Sequence, residues 1–475
     1  MGSLPGSVPP RTPRTATSSE PIVRPVSPAS SPGAPVVAGA DGHAPASPSG
    51  GAERSSQAVR EATPLAFAGF VANAANVLVT LAVARILSTT GYGTQAQLVA
   101  IFFVVSMPGS ALLVGIVRRA TRWRTTGHTE LIPAWARRIR RVGLMVVAVV
   151  AVLATLLCGV LSTQLSVDDR AGIVVVLVAG AAWGLLCVDR GLLQAQHAYR
   201  GLAVNLLIEG GLRSVLTVVL VFAGMGSTGV ALGLLIGVAS GDVHARWYLS
   251  RHPAGRALEP GPPVPPALAL PRERRLVTDV GIALLALGLL GLLQNVDVVI
   301  LGRERPSATG AYAAISVASK ALVFAALVLS SFLLPEAASR RDKGEHALRQ
   351  LGGTLAIFAV PAALLLGLAV LAPEFLIKLA FGARYLSAAH ALWPLALAMT
   401  CLGATVLFTH YLLGAGHRRA VLALLVGTAV IIPLLLAADG DPRATAEADL
   451  AVQATLAAVT GGLVLLAALR PRRVS

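Results

Sequence analysis

The chain has 475 residues, 55% hydrophobic and 13% charged, with a mean hydropathy of +0.73 and a formal net charge of +16. Soluble domains carry about 25% charged residues, so this composition excludes a water-soluble enzyme and describes a chain whose main solvent is lipid. Its three cysteines, Cys158, Cys187 and Cys401, lie in apolar runs at spacings that suit neither a metal site nor a disulfide framework.

Residues 1–60 are rich in Pro, Ser, Ala and Gly, and they lack the apolar core of a signal peptide. Such a segment buries too little surface to offset its ordering entropy, so a disordered tail is expected. From Glu61 onward, apolar runs of about 20 residues, the length that crosses a bilayer, alternate with short polar breaks. Twelve runs are read: 64–87, 95–117, 142–161, 171–196, 202–223, 227–249, 279–301, 308–334, 351–371, 386–412, 419–437 and 448–469. The expected architecture is an all-α polytopic membrane protein. Residues 61–249 form one six-helix lobe, 250–278 a basic Pro-rich linker, 279–470 a second six-helix lobe, and 471–475 a short tail. An even number of spans per half sends both halves into the membrane in one direction, as in a parallel repeat.

The charges follow the topology. The polar stretch 118–141 alone holds eight arginines, and the breaks on its side of the membrane hold about 24 Lys and Arg in all. The opposite side holds about six: Arg170, Arg303, Arg305, Lys378, Arg384 and Arg443. The positive-inside rule then makes the N-terminus, the linker and the C-terminus cytoplasmic. The basic excess is accounted for by this asymmetry and the anionic inner leaflet, so no nucleic-acid partner is invoked. No break exceeds about 30 residues, and none carries paired carboxylates, a Gly-rich phosphate loop or a Ser/His/Asp set. The chain is therefore not expected to be an enzyme, and no cofactor or metal is expected.

The first run ends ARILSTTGYG, residues 84–93, and the seventh ends VILGRERPSATGAY, residues 299–312. Both pass from Ile-Leu through a hydrophilic stretch to Gly and Tyr before the next run. Glycine permits a tight reversal and tyrosine suits the headgroup level. Arg85 is read as a headgroup anchor, Ser88 to Thr90 as a wet crossing, and Gly91-Tyr92-Gly93 as the turn.

On these residues the chain resembles the polysaccharide (O-antigen-type) flippases of the multidrug/oligosaccharidyl-lipid/polysaccharide exporter superfamily. Ala84, Arg85, Leu87, Tyr92 and Gly93 match that family's pattern after its first span, with Ser88-Thr89 in place of Gly-Pro. Further matches follow in order: Asn295-x-Asp297 with Leu301-Gly302, Pro335 through Arg349, Phe381-Gly382-x-x-Tyr385 and Gly414-x-Gly416-x-Arg418. The resemblance implies two lobes around a central cavity, working by alternating access. It also implies a lipid-linked oligosaccharide as cargo, turned across a bacterial cytoplasmic membrane, with polysaccharide assembly proteins as candidate partners.

Ionisable groups inside a span cost roughly 3 kcal/mol each on insertion scales and usually face a bundle interior or a wet cavity. The candidates for a substrate or ion site are Asn73 and Asn76 with Thr80, Asp189 and Arg190, Glu209 and Arg213 with Asn205, Gln294, Asn295 and Asp297, and Lys320 on a stripe with Tyr312 and Ser316. Glu209–Arg213 and Asp189–Arg190 can also simply neutralise one another. Lys320 has no acidic residue within a turn of its helix. It can hold a pyrophosphate or acidic sugar, or pair across the lobes with Asp297 or Glu209. Proton or sodium coupling is compatible with these groups. Two other cargoes remain open: small molecules exported against a cation, and the peptidoglycan lipid precursor.

Overall fold

The computed structural model describes residues 49–252, 273–342, 348–415 and 417–469. Every regular element among the described residues is helical. In chain order they are α1 (Ser49–Ile86), α2 (Thr89–Thr125), α3 (Leu131–Leu165), α4 (Arg170–Ala195), α5 (Tyr199–Leu220), α6 (Gly226–Arg251), α7 (Glu273–Glu304), α8 (Pro306–Asp342) and α9 (Leu348–Leu371). A short α10 (Pro373–Ala380) and a 3-10 stretch (Ala383–Ala391) then precede α11 (Leu392–Gly414), α12 (Arg419–Ala437) and α13 (Pro442–Leu469).

Each of the twelve expected runs overlaps one long helix, although the run 386–412 begins in the 3-10 stretch 383–391 before α11, and the short α10 was not expected. By length and apolarity alone, residues Tyr199–Arg251 read as a single 53-residue helical stretch. A five-residue π-turn, Val221–Met225, divides it, with Gly224 at φ 86° and Gly226 at φ 55°. Side chains rarely adopt that region, so glycine supplies the reversal between α5 and α6. Several boundaries move outward: α1 begins at Ser49, within the stretch expected to be disordered, and α2 and α3 extend into the polar stretch 118–141, ending at Thr125 and beginning at Leu131. Residues 1–48 of that tail, 253–272 of the linker and 471–475 lie outside the described residues.

Backbone groups at helix ends need partners that lipid cannot give. Asp169 caps α4, its Oδ1 accepting from the Gly172 amide at 2.7 Å. The same carboxylate accepts from the Ser227 and Thr228 hydroxyls, each at 2.6 Å, and so ties the start of α4 to the start of α6. In the first half α2 and α3 pack on α4, and α4 and α5 pack on α6. In the second half α8 and α13 pack on α11, and α7 and α13 pack on α12. The halves meet through α2, which lies against both α7 and α8. Residues Ser55–Ser475 accordingly form one compact unit.

The surface is inverted relative to a soluble protein. Along α3, Val149, Val152, Leu156 and Val160 are exposed, and Leu371 is 85% exposed. The side chains most completely buried include Tyr92, Tyr312, Tyr385 and Tyr411. In a bilayer apolar exposure costs nothing, and helix association depends on close packing and interior polar contacts. Below, the end of the bundle bearing residues 118–141 is called the basic end, and the opposite end, bearing the α1–α2 and α7–α8 turns, the hairpin end.

Candidate functional site

The second half carries a fully buried polar cluster on α7, α8 and α13. Lys320 Nζ lies 3.3 Å from Asp297 Oδ1, and the Tyr312 hydroxyl donates to Asp297 Oδ2 at 3.1 Å. The Ser316 hydroxyl stands 3.5 Å from the same oxygen. A second carboxylate, Asp449 on α13, is close enough to feel the charges of both Asp297 and Lys320. Its Oδ1 accepts from Gln453 Nε2 at 3.1 Å, and that amide also donates to the Leu293 carbonyl at 3.3 Å. Asp449 Oδ2 and Gln453 Oε1 are buried with no donor among the described residues. Asp297 lies seven residues from the hairpin end of α7 and Asp449 seven from that of α13, about 10 Å deep at 1.5 Å per residue. Among the described residues Lys320 is thus paired with Asp297 alone, while Asp449 is held by Gln453 and leaves two acceptor atoms, its own Oδ2 and Gln453 Oε1, to await a donor or a small cation.

The first half carries two networks nearer the basic end. Arg140 on α3 bridges Asp189 on α4, at 2.5 Å, and Asp242 on α6, at 2.9 Å. Arg246, one turn along α6, adds a second contact to Asp242 at 2.7 Å. Separately, Arg190 donates through Nε to Asn205 Oδ1 at 2.7 Å and lies 3.5 Å from Glu209. It also stacks over Trp183, 5.3 Å from the ring centroid. Asn205 donates onward to the Gly241 carbonyl at 2.6 Å. Arg213 reaches Glu209 at 3.6 Å, an ionic contact outside hydrogen-bond range. Arg213 also lines a small cavity of about 70 Å³ between α1, α2, α5 and α6, together with Asn76, Thr80, Gln95, Ser214 and Thr217. No carboxylate lines it.

At the hairpin end the two halves are clasped. The Arg85 guanidinium donates to the Leu379 carbonyl at 2.8 Å. Arg384 donates to the carbonyls of Ala84, at 3.1 Å, and Arg85, and the Tyr385 hydroxyl donates to the Ala84 carbonyl at 2.6 Å. Tyr92 packs between Phe381 and Tyr385, with ring centroids 6.3 and 5.5 Å away. A Cβ on Gly93 would stand 2.8 Å from the Gly310 amide nitrogen, and one on Gly310 would overlap Thr89. The α1–α2 and α7–α8 hairpins therefore touch backbone to backbone.

Several expectations change. Asp189 and Arg190 do not neutralise each other, because adjacent residues on a helix point about 100° apart. They belong to different networks. Glu209 and Arg213 do pair. Lys320 is not a free cation and does not pair across the lobes; its partner Asp297 is on the neighbouring helix of its own half. Arg85 reaches across to the α10 backbone rather than out to headgroups. Tyr92 is fully buried, and Gly91-Tyr92-Gly93 lies inside α2 rather than at the turn. Ser88 makes the turn as the cap of α2, its hydroxyl accepting from the Gly91 amide. Of the α1 asparagines, Asn76 lines the cavity and Asn73 is exposed away from it. Gln294 and Asn295 are buried, and Asn295 donates to the Gly291 carbonyl at 2.9 Å. The polar cavity described lies inside the first half rather than between the halves.

Sequence reasoning missed Arg140, Asp242, Asp449 and Gln453. Arg140 was one arginine among eight, and nothing in the sequence separates it from its neighbours. Asp242, Asp449 and Gln453 carried a readable signal: each is polar inside an apolar run, and Asp449 and Gln453 sit at i, i+4. Among the described residues no group of three or more His, Cys, Asp or Glu could hold a metal ion.

No family model and no curated protein matches the chain. Solved structures do. An inward-facing multidrug resistance MATE family transporter of the MOP superfamily aligns at TM-score 0.67 and 12% identity, covering 83% of this chain and 93% of that one. The MATE multidrug transporter DinF-BH in complex with R6G aligns at 0.61 and 16%, covering 86% and 94%. A MOP superfamily transporter from Pyrococcus furiosus, described as having a binding pocket of reverse polarity, aligns at 0.58 and 14%, covering 86% and 94%. The chain therefore has the fold of MATE-type transporters of that superfamily.

Proposed function

We propose that the chain is a secondary transporter of the cytoplasmic membrane. It works by alternating access and exports a small molecule in exchange for an inward-moving cation. The observation that carries this reading is the buried carboxylate Asp449, which has no cation in contact among the described residues, beside the Asp297–Lys320 pair, with Asp449 Oδ2 and Gln453 Oε1 left without donors. A buried carboxylate of that kind is relieved by a proton or a small monovalent cation. Neutralising Asp449 leaves Lys320 and Asp297 as a balanced pair. The α7–α8 hairpin that carries this pair also packs on α2 at the hairpin end. An ion that binds one packing of these helices better than the other shifts the equilibrium between access states by that difference.

The test is transport by the full chain reconstituted into vesicles with an imposed proton or sodium gradient, with export of a panel of cationic, neutral and anionic compounds as readout. Asp449→Asn is expected to abolish the gradient dependence while membrane insertion is unchanged. Gradient-driven export by Asp449→Asn at the wild-type rate would remove the coupling role.

A second reading, flipping of a lipid-linked oligosaccharide, is favoured by one observation. The first-half cavity, about 70 Å³ in this state, presents Asn76, Thr80 and Gln95 beside the Glu209-paired Arg213 and has no carboxylate in its lining, so that if widened it would suit neutral polar cargo. On this reading, disrupting the gene makes lipid-linked repeat units accumulate. Unchanged surface glycan and an unchanged lipid-linked pool exclude it.

A further inference from the structure

A groove on the outside of the first half, separate from the clusters above, has the form of a lipid site. It has a volume of about 670 Å³ and lies between α2, α3 and α4. Its walls are apolar: Val105, Leu112, Val142, Val146, Val150 and Leu185. Val142 and Val146 are about half exposed, at 50% and 48%, so the groove opens sideways to the bilayer. From Val105 to Arg119 it runs 14 residues of α2, about 21 Å at 1.5 Å per residue. That is enough to follow the hydrocarbon of one leaflet, half of roughly 30 Å, and reach the headgroups.

Its mouth at the basic end is cationic. Arg119 and Arg138 both line the groove there. Neither has an ion pair with a described residue, whereas Arg140, two residues beyond Arg138 and on the opposite face of α3, is fully engaged with Asp189 and Asp242. The Arg119 guanidinium lies against a pair of indoles, 4.8 Å from the Trp123 ring centroid and 5.5 Å from that of Trp135. The two rings stand edge to face, 5.1 Å apart. Cation–π contact with this indole pair holds the guanidinium in place without consuming its hydrogen bonds.

We propose that this groove binds an anionic glycerophospholipid of the cytoplasmic leaflet. The headgroup phosphate sits between Arg119 and Arg138, and one acyl chain lies along the α2–α3–α4 groove. Arginine matches a phosphate bidentately, an anionic leaflet supplies the ligand at the right depth, and the apolar walls fit only the hydrocarbon part. Gly184 lines the groove, and a side chain added there would meet nothing within 4 Å. The floor is thus open at the level of the acyl chain.

The experiment is native mass spectrometry of the detergent-purified full chain. It is titrated with phosphatidylglycerol and, separately, with phosphatidylcholine of the same acyl chains. Wild type is expected to retain phosphatidylglycerol in preference. Arg119→Gln/Arg138→Gln is expected to weaken that retention on the order of tenfold, the scale of one to two interfacial charges. Six further arginines in 118–141 keep the topology of this variant. Gly184→Leu, which fills the groove and leaves both charges, is expected to weaken it comparably. Arg200→Gln, at the start of α5 and outside the groove, is expected to change nothing. Melting temperatures in lipid-free detergent should match wild type throughout. The proposal is overturned if both groove variants bind phosphatidylglycerol as wild type does, or if wild type binds the two lipids equally. It is also overturned if the lipid retained from cells carries a glycan rather than a glycerophosphate headgroup. None of these outcomes bears on whether Asp449 couples transport.

Discussion

Lys320 and Asp297 show how a single residue can be misread from its own helix. On α8 the ammonium looks unpartnered, but the carboxylate that holds it is on α7. Removing one member of a buried pair leaves the other uncompensated, which costs about 3–5 kcal/mol. Lys320→Met should therefore lower the melting temperature in detergent sharply, and Lys320→Met/Asp297→Leu should recover most of the loss. A single variant that melts as wild type does would mean that the pair is not what holds α7 to α8. The same logic separates Asp189 from Arg190. In double-mutant cycles on stability, Arg140 and Asp189 should couple by well over the ~0.5 kcal/mol scatter of independent sites. Asp189 and Arg190, though adjacent, should add within it.

At the scale of elements, the helices close on each other through missing side chains and shared carbonyls. The hairpin α1–α2 reaches α7–α8 where Gly93 faces Gly310. Gly310→Val should push the hairpins apart. With Thr89→Cys as reporter, labelling by a membrane-impermeant maleimide should rise several-fold over the Gly310 parent; unchanged labelling would mean that the contact does not seal that end. The α5–α6 bend depends on Gly224 at φ 86°, where a Cβ meets no neighbour but the backbone itself is unfavourable. Gly224→Val should cost on the order of 1–2 kcal/mol through backbone strain alone, read as a lower melting temperature.

For the whole molecule, the clasp at the hairpin end holds the two halves together there, and on the proposed function it sets the balance between access states. Arg384 and Tyr385 together make three hydrogen bonds to the Ala84 and Arg85 carbonyls. A net hydrogen bond contributes about 1 kcal/mol and one from a charged donor about 1.5–3. Arg384→Ala/Tyr385→Phe should then shift the balance towards opening at that end by tenfold or more. Spin-label distances between α1 and the 3-10 stretch 383–391 should lengthen accordingly. Distances unchanged from wild type would show that the helix packing, and not these bonds, keeps the end shut. Topology has its own check. The positive-inside rule places Thr126 on the cytoplasmic side and Ser88 on the other, so cysteines at these positions should label from opposite faces of intact cells.

The long apolar helices and their order were legible in the sequence, though not all their limits, because a bilayer demands about 20 apolar residues per span and tolerates little else. That demand acts on each run locally, so it can be read one run at a time. The candidate site was legible only in part. Asp297, Glu209 and Lys320 announced themselves as charges where lipid penalises charge, but their partners did not. Which carboxylate meets which cation depends on the rotation and depth at which helices pack, and packing between helices leaves no periodic trace in either sequence. Arg140 looked like one loop arginine among eight, and α3 brings it to Asp189 and Asp242. Tyr92 and Arg85 looked like interface anchors, and the second half folds back to bury one and bind the other. The sequence by itself determined that this chain is built of helices long and apolar enough to cross a membrane, and roughly where each one lies. Tertiary structure alone decided which of its buried charges stand together and which end is closed, because both depend on contacts between residues up to 300 positions apart.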